Sequence, residues 1–421
     1  MTPEIKQRIE QIRRGEVPEG YVKKRKVVIP QQWGLPQIKD IASISSGSTP
    51  NRNNSEYWNG NIAWVTTGEL SSGHVNHTSE LITVKAVKET KMRIYPQGTL
   101  LMAMYGQGKT RGTVAILEID AAVNQACAAI AVKEGKSKFL FYQLKNSYQD
   151  IRKLSNTGNQ ENLNADIIKT YQVPWAPDEE QERISTILTT QDKVIELKEK
   201  RLAGKQRQKK YLMQQLLTGK KRLPEFSEEW KKVKIGSFIK EIDERSTVNN
   251  QYEILSVTKN GMVFQSSHFN KQIASENNVG YKVVRRGNLA FSTMNLWMGS
   301  LDTLRICDTG IVSPAYKVFE FNQSFIVVNF AENYMKSAEM IWLYKANSEQ
   351  GASIVRRNLD LQALLNSEVA LPDISEQTAI AEVLSAADHE IDLLRQDIEQ
   401  EKQKKKALMQ LLLTGIVSVK T

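Results

Sequence analysis

The residues best suited to chemistry stand in Ala103-Met104-Tyr105-Gly106-Gln107-Gly108-Lys109-Thr110. Glycines, a lysine and a hydroxyl at this spacing can wrap backbone N–H groups round a phosphate, provided a strand precedes the loop and a helix succeeds it. The chain continues instead with Arg111-Gly112 and then Thr113-Val114-Ala115-Ile116-Leu117. That β-branched run predicts a second strand, hence a hairpin and not a strand–loop–helix. The same residues suit a nucleic acid. Glycines permit close backbone approach, Lys109 and Arg111 beside Thr110 can reach a phosphate or a guanine edge, and Gln107 an adenine edge. A nucleotide-binding enzyme working through Lys109-Thr110 and a purely structural hairpin are the competing readings.

Further polar loops fit a reading surface as a set, although each alone reads as a solvated turn. In the first half they are Ser45–Asn54 with Arg52, Thr66-Thr67 and Asn124-Gln125. In the second they are Lys259-Asn260, Arg285-Arg286 and Asn295 beside Trp297. Catalytic patterns are missing from the sequence. It has no Asn-Pro-Pro-aromatic run for amino-methyl transfer, no glycine fingerprint for S-adenosylmethionine and no Asp…Glu-x-Lys nuclease triplet. Pro177-Asp178 and Pro372-Asp373 serve better as helix caps than as nuclease fragments, and His74, His77, His268 and His389 do not cluster as metal ligands. The chain reads as a binder and not as a catalyst.

The elements that would position these loops come from a duplication. Residues 162–219 align without a gap on residues 358–415, with 19 of the 58 positions identical. Among them are Glu180-Gln181 with Glu376-Gln377, and Leu216-Leu217-Thr218-Gly219 with Leu412-Leu413-Thr414-Gly415. The 4-3 spacing within the repeat runs Ile184, Leu188, Gln191, Ile195, Lys198, Leu202, Lys205, Lys209, Leu212, Leu216 in the first copy. In the second it runs Ile380, Leu384, Ala387, Ile391, Leu394, Ile398, Glu401, Lys405, Leu408, Leu412. This is a heptad seam, interrupted by lysines in the first copy. Asp178 and Asp373, each three residues before a Gln or Glu, are capping signals, and Gly219 and Gly415 suit left-handed C-caps. Each helix is expected to run to about 35–40 residues, or roughly 55–60 Å. Neither hides its apolar stripe alone, so an antiparallel pair is expected; two independent helices, each docked on its own domain, are the alternative.

Residues 33–176 and 223–372 have a different texture, alternating short β-rich runs with Gly, Asn and Ser turns. Strands are expected at Leu100–Met104, Thr113–Leu117 and Ala128–Val132, and at Glu253–Val257, Asn288–Ser292 and Ile326–Asn329. Helices are expected over Phe139–Leu154 and Tyr334–Ala346. Each region opens on a tryptophan, Trp33 or Trp230, five residues before an isoleucine. The organisation predicted is a helical and basic arm (1–32), a globular domain (33–176), a long helix (177–222), a second globular domain (223–372) and a second long helix (373–421). The fold class is α+β, with two mixed α/β domains joined by an antiparallel coiled coil in a pseudo-two-fold, circular layout.

Composition sets the class of partner. The 421 residues are 40% hydrophobic and 25% charged with a net charge of +10, which favours a polyanion over a membrane. Cys127 and Cys307 have no metal or disulfide spacing and are expected to be reduced and buried. No apolar run reaches the roughly 18 residues of a membrane span, and no signal-peptide core opens the chain, so a cytoplasmic protein is expected.

In these motifs the chain resembles the specificity subunit of Type I restriction-modification enzymes. The first half is similar to that family's target-recognition domains in Ser46-Gly47-Ser48-Thr49-Pro50, Tyr57-Trp58-Asn59-Gly60-Asn61-Ile62, Trp64-Val65-Thr66-Thr67-Gly68-Glu69 and Leu101 through Gly112. The second half resembles another recognition-domain subtype in Tyr252-Glu253-Ile254-Leu255-Ser256-Val257-Thr258 and Gly310-Ile311-Val312-Ser313-Pro314-Ala315-Tyr316. Both long helices look like the family's conserved regions. The resemblance implies a non-catalytic subunit that reads a bipartite site in double-stranded DNA, one half per domain. The helices would set the spacer and dock two methyltransferase subunits, which restriction subunits then join. It implies no cofactor in this chain; S-adenosylmethionine would belong to the methyltransferase subunits, and ATP and magnesium to the restriction subunits. The recognition chain of a related Type II system, and a coiled-coil adaptor without DNA contact, are the alternatives.

Overall fold

In the computed structural model the two predicted long helices occupy Asp178–Leu216 and Ile374–Leu412, 39 residues each. The structure describes residues 2–106, 108–133, 136–154, 162–259, 261–268, 277–350 and 357–419. The chain divides into two units: residues 1–198 with 397–421, and residues 199–396. Each unit therefore holds one globular domain, the start of one long helix and the end of the other.

In the first unit a hairpin of β1 (Tyr21–Lys24) and β2 (Val27–Pro30) comes after a helix over Pro3–Arg13. The globular part contains β3 (Ala42–Ser46), β4 (Trp58–Val65), β5 (His74–Val75), β6 (Glu80–Ile82), β7 (Leu100–Ala103), β8 (Val114–Leu117), β9 (Ala121–Val123) and β10 (Cys127–Val132). Five of them form a sheet in the order β3-β10-β7-β8-β5, and three a second sheet in the order β6-β4-β9. All four residues of β7 and of β8 are buried, so these strands read as continuous apolar runs and not as alternation. The helix Ser137–Asn146 buries its six consecutive residues Phe139 to Leu144. Its apolar residues lie inside one core with Trp33, Ile184, Leu188, Leu412 and Leu413, and the buried Gln143 amide donates to the Pro174 and Leu413 carbonyls at 2.9 and 2.8 Å.

The second unit has the same plan with other strands. They are β11 (Lys231–Lys234), β12 (Ile239–Ile242), β13 (Leu255–Thr258), β14 (Gly261–Phe264), β15 (Lys282–Arg285), β16 (Leu289–Ser292), β17 (Leu301–Thr303), β18 (Thr309–Val312), β19 (Tyr316–Phe321), β20 (Ser348–Gln350), β21 (Arg357–Leu359) and β22 (Glu368–Leu371). The largest sheet has the order β12-β19-β16-β17, and β13–β14, β15–β18, β11–β22 and β20–β21 pair separately. Its core brings Phe238, Phe291, Phe319, Phe330 and Tyr334 onto Leu216, Leu217, Ile380 and Leu384.

Within each unit the long helices pair antiparallel, and the seam lysines find their purpose there. In the first unit Lys198 Nζ lies 2.7 Å from Asp397 and 2.9 Å from Glu401, while Lys405 pairs with Asp192. In the second, Lys205 lies 2.8 Å from Glu390 and Lys209 2.6 Å from Asp388. Ile184, Leu188, Ile195, Leu216, Ile380, Leu384, Ile391, Leu394, Ile398 and Leu412 are buried, while Leu202, Leu212 and Leu408 are half-buried.

The helix starts repeat one contact. Trp33 Nε1 donates to Glu180 Oε2 at 2.9 Å, and Trp230 Nε1 to Glu376 Oε2 at 3.1 Å. The other Glu180 oxygen accepts from Ser418 Oγ (2.8 Å) and Val419 N–H (3.1 Å). Glu376 instead takes the fork of Arg222, Nε at 2.5 Å and Nη2 at 2.6 Å. The helix ends close on the same tryptophans. Gly219 (φ +65°) lies over Trp230, and Gly415 (φ +72°) against Pro30 and Trp33, where a Cβ would come within 2.4 Å of the proline ring. Residues 2–32 join this junction, with Tyr21 Oη donating to the Gly415 carbonyl at 2.7 Å and Arg8 to that of Ile416 at 2.6 Å.

Some expectations shift. Cys127 is buried, but Cys307 is only half-buried. Ile326–Asn329 is not a strand: Val328–Tyr334 is a helix, and the Val327 N–H donates to Gln377 Oε1 at 2.8 Å, so a tertiary partner overrides the β-branched propensity. The stretch Tyr334–Ala346 breaks before Ser337, which caps Ala338–Ala346, and Phe139–Leu154 breaks at Ser147. The strand expected over Glu253–Val257 occupies Leu255–Thr258. Asp373 caps its helix, its Oδ1 accepting from the Glu376 N–H at 2.8 Å. Asp178 instead lies inside its helix, in the first turn.

Glu376 is 1% exposed, so its removal leaves a guanidinium and an indole N–H without their acceptor. Glu376→Ala is expected to cost about 3–5 kcal/mol in urea unfolding. A second consequence concerns pH. Hydrogen bonds from Lys198 and Gln191 hold the Glu401 carboxyl down to about 2. Its contribution is therefore present above the ordinary carboxylate range and is lost as pH falls from about 4.5 towards about 2. Helicity measured by circular dichroism should fall over that window, and Glu401→Gln should make it less sensitive to acid there.

Candidate nucleic-acid interface

Strand register gathers the first unit's candidates. The parallel pairing of β4 with β9 sets Val65 beside Val123, so Thr66 and Asn124 leave neighbouring strand ends, and the Asn124 N–H donates to the Val65 carbonyl at 2.9 Å. Antiparallel pairing sets Cys127 beside Ala103, and the Met104 N–H donates to the Ala126 carbonyl at 2.8 Å. Thr66, Asn124, Gln125 and the start of the Met104–Gly112 loop thus share one edge. Ser48-Thr49 joins them: Thr49 Oγ1 donates to Gln125 Oε1, and the Ser48 N–H to the Val123 carbonyl at 2.9 Å. Gly47 makes this approach possible, since a Cβ there would lie 1.8 Å from the Val123 oxygen.

Within that edge the candidates differ in freedom. Thr66 is held by Glu69, whose carboxylate accepts from the Thr66 N–H (2.6 Å) and hydroxyl (3.2 Å), and again from Ser79. Thr67 is half-buried as the first residue of a 3-10 turn. Asn124 Oδ1 accepts from the Ala126 N–H at 3.1 Å, closing a local turn. Arg52 lies over the ring of Trp58 at 4.2 Å and that of Trp64 at 5.0 Å. Its guanidinium is bound by Glu80, Nη2 to Oε2 at 3.0 Å, and this contact raises the arginine pKa and lowers that of the glutamate. The result is an exposed cation fixed on an aromatic step.

The glycine-rich loop joins β7 to β8, which pair antiparallel, so it is a hairpin connection with no helix behind it. Lys109 is exposed, Thr110 half-buried and Arg111 only 7% exposed. Arg111 therefore forms part of the loop's wall, and Lys109 is its outward cation. The loop is braced by the helix Tyr148–Lys153: Tyr148 Oη donates to the Lys109 carbonyl at 2.6 Å and Arg152 Nη1 to that of Arg111 at 2.9 Å. Gln107 and Asn260 lie outside the described residues.

In the second unit Arg285 and Arg286 share the turn after β15, each with a partner. Arg285 binds Glu244 at 2.6 and 3.1 Å. Arg286 binds Asp308 at 2.8 Å and the Arg305 carbonyl at 2.7 Å. Lys259, at the β13–β14 turn, is exposed. Asn295 precedes a 3-10 turn, Leu296–Met298, that carries Trp297, and the Arg357 guanidinium lies 5.4 Å from the indole centroid. No hydrogen bond or ion pair among the described residues links Asn295 and Trp297 to the arginine turn. Glu80, Tyr148, Arg152 and Arg357 are not recognisable from sequence because each meets its partner across 28 to 60 residues with no periodic signal between. Tyr105, 40% exposed at the mouth of the loop, belongs to the glycine-rich motif, but its charged neighbours carry the stronger signal.

No group of three or more histidine, cysteine, aspartate or glutamate side chains able to hold a metal occurs among the described residues. Nor is any of their helices long and apolar enough to cross a membrane.

Comparison with known proteins places this architecture. The family model described as Type I restriction modification DNA specificity domain matches residues 30–204 and again 227–403. The MjaIX specificity subunit of a Methanocaldococcus jannaschii type I restriction enzyme is 34% identical over 178 residues, 41% of this chain and 40% of that one. The MjaVIII specificity subunit of the same organism is 24% identical over 423 residues, 93% of this chain and 94% of that one. Among solved structures, the S subunit of a type I system from M. genitalium has a TM-score of 0.52 at 13% identity, covering 93% of this chain and 98% of its own. A chain from work on complex assembly and conformational transition of the type I R-M system has a TM-score of 0.58 at 14% identity, covering 92% and 99%. With two matches that together span most of its length, the chain belongs to the Type I restriction-modification DNA specificity family and carries that family's domain twice.

Proposed function

We propose that the chain is the sequence-reading subunit of a Type I restriction-modification assembly. Each unit's polar loops read one half of a bipartite site in duplex DNA. The long helices set the spacer and dock two methyltransferase subunits, and restriction subunits join through these. The supporting observation is where the two halves agree. Identity is concentrated in the helix junctions, Glu-Gln at the start and Leu-Leu-Thr-Gly at the end. The loops differ: one unit offers an arginine on two tryptophans and a glycine-rich hairpin, the other a pair of carboxylate-held arginines and an arginine-backed tryptophan. Equal junctions suit two equal partners, and unequal loops suit two unequal half-sites. On this reading the subunit is non-catalytic and cytoplasmic. S-adenosylmethionine belongs to the methyltransferase subunits, and ATP and magnesium to the restriction subunits.

Co-expression with the cognate methyltransferase subunit, and then single-molecule sequencing of methylated DNA, tests the proposal. A two-part motif with a gap of constant length is expected; a continuous motif, or methylation without sequence preference, would reject it. Lys109 supplies a finer test. As the exposed cation of its loop it is expected to meet phosphate, so Lys109→Ala should weaken cognate and unrelated duplexes alike and flatten the salt slope by about 1. Relaxed choice at a single base position would make it a base contact instead, and no change in either would leave a structural turn.

A further inference from the structure

Beside the glycine-rich hairpin lies a pocket of 200 Å³, lined among others by Ser71, Gly73, Gly112, Thr113, Lys145 and Tyr148. Such a volume holds several waters or one small polyatomic ligand. Lys145, in the helix Ser137–Asn146, is half-buried with its ammonium 5.0 Å from the Phe141 ring centroid. No carboxylate among the described residues forms an ion pair with it. The one carboxylate that acts on it electrostatically, Asp192, is already bound to Lys405 and to the Tyr142 hydroxyl at 2.8 Å. Two ammonium groups thus share one carboxylate, leaving a local excess of one positive charge. Burial and the nearby Lys405 both act against the charged form of Lys145. Other acids near the pocket are engaged, Glu69 with Thr66 and Ser79, and Glu118 with His74 at 2.8 Å. A desolvated cation without a counter-charge is costly, and an anion in the pocket would remove that cost.

The donors present define the anion. Tyr148 and Thr113 both spend their hydroxyl protons on the Lys109 carbonyl, at 2.6 and 3.0 Å. Lys145 keeps its ammonium protons, and the Ser71 hydroxyl makes only a 3.4 Å bond to the Gly68 carbonyl. A point charge with one adjustable hydroxyl suits a tetrahedral oxyanion better than the planar fork that a carboxylate prefers. We propose that this pocket seats a phosphate group, with Lys145 as its ionic anchor and Ser71 as a second donor. The loop that carries Lys109 forms one wall, so a DNA strand read by that loop is the expected source. That attribution rests on the functional proposal above; the seat itself does not.

The test uses the full chain co-assembled with its methyltransferase subunit. Lys145→Met keeps the apolar stem and removes the charge, Lys145→Arg restores charge, and Ser71→Glu supplies an internal counter-ion. If DNA is the source, Lys145→Met should lower affinity for cognate and unrelated duplexes alike by about tenfold. It should also flatten the slope of log K against log salt by about 0.9 while leaving the methylated motif unchanged. Lys145→Arg should recover most of this loss. If free phosphate is the source, inorganic phosphate should raise the Tm of the wild type but not of Lys145→Met or Ser71→Glu, with DNA binding unmoved. The proposal is overturned if neither duplex affinity nor the phosphate-dependent Tm responds to any of the three variants. Should Lys145→Met not fold, Ser71→Glu carries both readouts alone. A wild type that reads no bipartite site would reject the functional proposal, while the phosphate titration would still decide the pocket.

Discussion

Each long helix begins on a glutamate that is almost completely buried, and such a group persists only where its partners are fixed. Glu180 and Glu376 each take an indole N–H, from Trp33 and Trp230. That bond ties the first residues of a globular domain to the start of the helix that leaves it. The end of the opposing helix is then constrained as well. Gly219 and Gly415 turn the chain with positive φ against those same tryptophans, and at Gly415 a side chain would also collide with Pro30. Start, end and domain entrance are one junction, which is why Glu-Gln and Leu-Leu-Thr-Gly are repeated with so little change.

Reciprocity explains several of the remaining identities. Asp192 and Asp388 occupy equivalent positions, as do Lys209 and Lys405. In the first unit the Asp of the first copy pairs with the Lys of the second, and in the second unit the assignment is reversed. Leu412 and Leu413 pack with Ile184 and Leu188 in one core, and Leu216 and Leu217 with Ile380 and Leu384 in the other. Residues 198–208 contain no position identical to 394–404, and the ion pairs there differ accordingly: Lys198 takes two acids, whereas Glu390 takes two bases. At these positions sequence identity tracks the contacts that each copy must make in both roles.

How legible this was in the sequence depended on range. The helices could be read because their seam repeats every three or four residues, and the hairpin because Thr113–Leu117 is β-branched immediately after the loop. Strand pairing across β4 and β9, which brings Thr66 beside Asn124, has no local signature. The burial of Arg111 has none either, for it depends on a helix some 40 residues further on. Ile326–Asn329 illustrates the opposite failure. Its local propensity was clear, and a hydrogen bond to Gln377 in the next long helix decided against it.

The candidate surface also separates two tasks that composition alone merges into one positive charge. Arg52, Arg285 and Arg286 are each held by a carboxylate, so they add little net charge but present a guanidinium in a set direction. Lys109 and Lys259 are exposed on flexible stems, where an ammonium acts as a mobile point charge. On the proposed reading, long-range attraction to DNA then comes from the lysines, and discrimination from pre-oriented arginines and the aromatic steps beside them. Fixing an arginine with a neighbouring acid weakens its attraction for phosphate, since the pair is nearly neutral at a distance. The same fixation lowers the entropy lost when the fork meets a base edge, which is the more useful property in a group that must choose between bases.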